Sequence, residues 1–149
     1  DITRQILRHR SFSFQEFSQR YAEPLSLSYR YREARLQDPK NRQSSIELDD
    51  ENDEDEKLEL EWRERQQHVI DVALEAYTWA RAAKIAKEQA RVVLPEGNMM
   101  SRLYMSGTMR SWIHYIQVRT DPSTQKEHRE VALRCKEVLA DIFPIIEKI

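Results

Sequence analysis

Between positions 8 and 21 the chain reads RHRSFSFQEFSQRY, which sets Arg8, His9, Arg10 and Arg20 around Ser13, Glu16 and Ser18. Guanidinium groups are planar, stay charged at any working pH and match phosphate or carboxylate oxygens two bonds at a time. A surface kept charged only for solubility would draw on Lys and would not interleave hydroxyls and a lone carboxylate. The stretch therefore predicts a pocket for a phosphorylated, hydrogen-bonding ligand.

A second set of candidates lies near the other end. A helix is expected over about 108–118, where Arg110, His114 and Gln117 fall on one side and Trp112, Ile113 and Ile116 are buried. At 100° per residue Arg119 lies about 180° from Arg110. Both reach ligand only if the helix separates two sites, the chain bends at its end, or the site is shared between subunits. Cys135 is the single cysteine, so no intrachain disulfide forms. Its helical spacing with Val131, Val138, Leu139 and Ile142 reads as a small buried hydrophobe. His68 and His128 read as surface residues, and no metal site is expected.

The elements that must position these groups follow from periodicity. Ile2, Ile6 and Leu7 predict a helix over about 2–9, with Gln5, Arg8 and His9 on another face. An irregular loop runs through Ser18, and alternation of Leu25, Leu27 and Tyr29 with Ser26, Ser28 and Arg30 predicts a half-buried strand over about 21–32. Residues 38–57, with the acidic run Asp49–Glu56, read as a self-repelling, flexible excursion. Trp62, Val69, Ile70, Ala73, Tyr77 and Ala80 form the apolar stripe of a helix over about 58–83. A short helix over 86–93 stops at Pro95, and a strand over 98–106 puts Met99, Leu103 and Met105 on one face. Asp121-Pro122-Ser123 is expected to cap a last helix over about 124–143. The sum is a helix-rich α+β fold.

At 149 residues this is a single domain, and a formal charge of −2 argues against a general nucleic-acid binder. No apolar run approaches the ~20 residues of a membrane span, and no secretory signal is visible. A soluble, cytoplasmic protein is expected.

Arg8-His9-Arg10, Ser13, Gln15-Glu16, Ser18 and Arg20-Tyr21 resemble the signature of the flavin-dependent thymidylate synthases (ThyX), with Gln15 in place of the usual Asn. Ala90-Arg91-Val92-Val93-Leu94-Pro95 resembles a nucleotide-contacting segment of that family. Arg110-Ser111, His114 and Arg119, followed by Gln125 and Glu127, are similar to its C-terminal spacing. The resemblance runs from about residue 4 to 144. It implies one ThyX domain over 1–149, an antiparallel sheet packed on long helices, with the N-terminal part of the family fold, including part of its flavin site, expected to be absent from this chain.

By the same resemblance Gln5, Arg8, Glu16, Ser18, Gln19, Arg20, Arg91 and Arg119 would hold deoxyuridine monophosphate (dUMP). Arg8, His9, Arg10, Glu16, Thr108, Arg110 and His114 would line FAD, Thr108 standing where the family commonly has Asn. Arg119 would be catalytic, favouring ionisation of the uracil N3. The implied reaction is reductive methylation of dUMP to dTMP, without a cysteine nucleophile, by a homotetramer with shared active sites. NADPH would be the reductant and methylenetetrahydrofolate the carbon donor. A related pyrimidine nucleotide as substrate, or a non-catalytic nucleotide-binding scaffold, are the alternatives.

Overall fold

The computed structural model describes residues 2–16 and 28–148, so the expected loop and strand over 17–27 lie outside the described residues. The elements, in chain order, are α1 (Ile2–Ile6), β1 (Phe12–Glu16), β2 (Arg35–Gln37), β3 (Ser45–Glu47), α2 (Asp53–Ala82), α3 (Lys87–Ala90), β4 (Leu103–Gly107), α4 (Met109–Arg119) and α5 (Lys126–Ile142). Single 3₁₀ turns occupy Arg91–Val93 and Pro144–Lys148. β1 pairs with β4, and β2 pairs antiparallel with β3. Helices with small sheets make this the expected α+β fold. Among the described residues no helix is long and apolar enough to cross a membrane.

The chain divides into two compact units. The first comprises Asp1–Gln15, Asp38–Ser44 and Leu103–Ile149. Its core is Phe12, Tyr115, Ile116, Ala132 and Ile146, with Met105, Trp112, Ile113, Cys135 and Leu139 packed around them. Thr108 starts α4 in an extended conformation and its side chain accepts the Ser111 N–H, satisfying one of the donors a helix start leaves open. Gly107 precedes it because a Cβ there would come within 2.5 Å of the Phe12 ring. Cys135 is half-buried in this core, and burial raises its pKa, the opposite of what a thiolate nucleophile needs.

The cap expected from Asp121-Pro122-Ser123 does not form. Asp121 accepts from the backbone and hydroxyl of Ser123 and so closes its own turn. α5 begins beyond it, behind Gln125, with no side-chain cap.

The second unit comprises Glu16–Gln37 and Ser45–Arg102 and is dominated by α2. The run expected as a flexible excursion is largely ordered: Ser45–Glu47 is strand β3, and α2 starts at Asp53 rather than Leu58. The Asn52 side chain accepts from the Glu54 N–H. Asp53, Glu54, Asp55 and Glu56 then form the first turn, where the positive end of the helix dipole offsets the repulsion that would keep them apart in a free chain.

The buried stripe of α2 is Gln66, Ile70, Ala73, Tyr77 and Ala80, at spacings of four and three residues. Trp62 and Val69, expected on it, are 43% and 54% exposed. Gln66 replaces them because its amide serves a neighbouring chain segment. Its Oε1 accepts from Arg32 N–H and from Asn98, each at 2.8 Å, and its Nε2 donates to the Arg32 carbonyl at 2.8 Å. Tyr29 makes an isolated bridge to Met99, which is what remains of the expected strand within the described residues.

Replacing Gln66 by Leu keeps the volume but strands the Arg32 backbone groups. Leaving buried donors and acceptors unpaired costs about 1–3 kcal/mol each, so urea denaturation of Gln66→Leu should show a loss of at least about 2 kcal/mol. A variant as stable as wild type would refute this account of the unit.

Candidate functional site

Three short-range facts bring the motif to α4. α1 ends at Ile6, the backbone turns through His9, whose carbonyl accepts from Phe12 N–H, and β1 begins. His9 is thereby swung off the helix and its ring is walled edge-on by Tyr115 at 5.0 Å, His128 at 6.3 Å and Phe12 at 6.5 Å between centroids. Arg119, the last residue of α4, donates from Nε to His9 Nε2 at 2.9 Å.

This bond fixes protonation. A guanidinium never loses its proton in a protein, so His9 Nε2 must carry a lone pair and the ring proton sits on Nδ1. Burial, then the Arg119 charge, then His114 lower the His9 pKa and favour the same neutral form. The bond uses only the Nε–H of Arg119, so among the described residues both terminal amino groups remain for another acceptor. Arg119 closes the helix against His9, while Arg110 is exposed near the other end of α4.

The remaining candidates divide. Arg8, Arg10 and His114 are exposed in the same unit as His9. Gln5 is half-buried and already engaged, donating to Gln125 at 2.6 Å and bonded to His128 at 3.2 Å. Thr108 is committed to capping α4; Asn and Thr are both strong N-cap residues, so the replacement preserves the cap. Glu16 and Arg91 belong to the second unit. There Glu16 accepts from the Ser101 hydroxyl at 3.1 Å, and Arg91 closes α3. Ser18, Gln19 and Arg20 lie outside the described residues. Among the described residues no group of three or more metal-binding side chains comes together.

His128 is the main correction. Expected on the surface, it is fully buried, because the Ala132, Cys135 and Leu139 stripe of α5 extends back through it at helical spacing. That spacing was the available signal; the charged neighbours Lys126, Glu127, Arg129 and Glu130 masked it. Tyr115, also missed, is 1% exposed. Its burial raises the phenol pKa well above the usual range.

Burial, then the Arg119 charge, then the neighbouring His9 ring lower the His128 pKa to about 4. Its folded value lies below the 6.5 of the unfolded chain, so the unfolded state takes up the proton first as pH falls. Stability is complete above about pH 6.5 and is lost progressively down to about pH 4, with about 2 kcal/mol gone by pH 5 on this residue's account. Urea midpoints at pH 7 and pH 5 should show that loss, and His128→Leu should show a smaller one. An equal loss in both proteins would refute the assignment.

The family model described as thymidylate synthase complementing protein matches residues 1–145. A flavin-dependent thymidylate synthase of Synechocystis sp. is 48% identical over 97% of the chain, which covers 64% of that protein. A probable flavin-dependent thymidylate synthase of Paramecium bursaria Chlorella virus 1 is 45% identical over 99% of the chain and 65% of its own length. The chain thus spans a little under two thirds of these relatives. A crystal structure of a UMP/dUMP methylase, PolB, from Streptomyces cacaoi bound with 5-Br dUMP is similar with a TM-score of 0.77 and 25% identity, over 99% of this chain and 65% of that one. Matched along nearly its whole length, the chain belongs to the thymidylate synthase complementing protein family, that of the flavin-dependent thymidylate synthases.

Proposed function

We propose that the protein takes part in reductive methylation of dUMP to dTMP, with FAD as cofactor, NADPH as reductant and methylenetetrahydrofolate as carbon donor. The observation that carries this reading is the Arg119 guanidinium pinned through Nε to a neutral His9 inside the Arg-His-Arg motif. A cation held beside the pyrimidine N3 favours loss of its proton, and the negative charge that results makes C5 nucleophilic without a cysteine adduct. Neutral His9 matters here because its Nε2 lone pair accepts the Arg119 Nε–H and holds the guanidinium in place, whereas a protonated imidazole would repel it. Cys135, raised in pKa and packed in the core, supports a reaction that uses no thiolate.

Arg8, Arg10 and Arg110, exposed in one unit with His114, suit the phosphates of a dinucleotide such as FAD. Bound flavin would supply the hydride chemistry that no side chain offers. The protein's own residues hold and orient: Gln5 and Arg8 the nucleotide, Arg119 the ring charge, and, by resemblance, Glu16, Ser18, Gln19, Arg20 and Arg91 the base edge and phosphate. Trp62, Val69, Val72 and Trp79, all exposed within about 100° of arc on α2, support assembly into a homotetramer. A cytoplasmic setting agrees with this chemistry.

A second reading, a related pyrimidine nucleotide as substrate, is favoured by the UMP/dUMP methylase likeness. Mass spectrometry of the products from dUMP and UMP offered together separates the two.

The purified protein should be yellow, oxidise NADPH in response to dUMP and run as a tetramer in light scattering. Arg119→Ala should retain flavin absorbance and lose about 10²–10³ in turnover, the scale for removing one preorganised charge-stabilising donor. A variant that turns over at the wild-type rate would remove Arg119 from the mechanism.

A further inference from the structure

Behind His9 and Arg119 lies a line of side chains whose hydrogen bonds have only one consistent direction. Gln125 Nε2 bonds Glu127 Oε2 at 2.8 Å. An ionised carboxylate only accepts, so the Gln125 amide must turn its N–H towards Glu127 and its Oε1 away. Gln125 Oε1 is 2.6 Å from the Gln5 amide, so Gln5 presents Nε2–H there and turns its own Oε1 to His128. Gln5 Oε1 lies 3.2 Å from His128 Nδ1, so His128 must donate from Nδ1. The direction imposed at Glu127 thus passes through two amides and ends by choosing the tautomer of an imidazole that is fully buried. His128 Nε2 is left as a bare lone pair, with no hydrogen-bond partner among the described residues.

The same imidazole stands 6.3 Å from the His9 ring, at 84° to it, and 5.8 Å from Tyr115. It forms one wall of the slot in which His9 receives Arg119. We propose that His128, oriented by Gln125 and Glu127, is a positioning residue that fixes which way the Gln5 amide faces. With Oε1 turned to the buried His128, what Gln5 keeps for a ligand is its second Nε2 hydrogen, a donor suited to a carbonyl or phosphate oxygen. Were the amide free to turn over, it would offer an acceptor half the time and lose that discrimination.

A packing role alone explains neither observation. Burying an imidazole with one nitrogen unpartnered is costly, and an apolar side chain would fill the space without that cost. The polar line is what an apolar residue could not supply.

The inference rests on the reading of Gln5 as a nucleotide contact, and its test has one arm that needs no nucleotide. In ligand-free protein labelled with ¹⁵N-histidine, His128 should show the Nδ1–H tautomer by long-range ¹H–¹⁵N correlation, and Glu127→Gln, which can donate as well as accept, should mix the two tautomers. An Nε2–H tautomer in the wild type overturns the inference whatever the protein's activity. In the second arm, His128→Leu should raise the KM for dUMP about tenfold with kcat within about twofold and flavin retained. His128→Asn, whose Nδ2–H stands where the imidazole Nδ1–H stood, should bring KM back to within about threefold of wild type. Equal KM values for the Leu and Asn variants, beside a wild type that turns over dUMP, overturn the positioning role alone. A wild type that neither binds nor turns over dUMP overturns the proposed function instead, while the tautomer still reports on the line itself.

Discussion

A guanidinium can donate to an imidazole only while the imidazole keeps its lone pair, and the first unit of this protein is arranged to maintain that condition. Arg119 carries a charge that no accessible pH removes. His9 lies at 2.9 Å and would be repelled if it gained a proton. Burial among Phe12, Tyr115 and His128 raises the cost of that proton further. Repulsion by Arg119 and burial have the same sign, so a bond that is weak evidence in an exposed pair becomes a defined chemical state here. Arg119 stands at the last position of α4, where its cation meets the negative end of the helix dipole while reaching His9.

The supporting structure is built to hold those two residues in register. The α4 N-terminus is fixed by the Thr108 cap and by Ser111, whose hydroxyl donates to the Ser11 carbonyl just ahead of β1. Its middle is fixed by Tyr115 and Ile116 in the core. α5 closes the other side, with Ala132 allowing close approach and His128 carrying the polar line from Glu127 to Gln5. The second unit solves a different problem, organising a 30-residue helix whose acidic first turn would be disordered without the dipole to offset it.

How much of this was legible in advance depends on whether a feature is local. Helix existence and type followed from apolar spacing, and α4, α5 and the α2 core at Ile70, Ala73, Tyr77 and Ala80 were read correctly. Errors came where a tertiary partner outweighed local preference. Gln66 is polar and so stands out of any apolar stripe, yet it is buried because Arg32 and Asn98 meet it there. The Asp49–Glu56 charges were judged by their mutual repulsion, which is the right rule for a free chain and the wrong one at a helix start. The Asp121-Pro122-Ser123 segment closes its own turn, Asp121 accepting from Ser123, and so leaves α5 uncapped.

The order of residues is enough to set the family, through the spacing of Arg8, His9, Arg10, Glu16, Arg110, His114 and Arg119, because fixed spacing of chemically demanding residues is readable without any knowledge of the fold. It also determined the helix-rich α+β class, since periodicity is a property of the chain alone. That His9 is neutral, that Arg119 is tied to it, and that a histidine among charged neighbours is buried beside them emerge only from the folded chain. Those are statements about distance and solvent between residues more than a hundred positions apart, and neither quantity is written in local sequence.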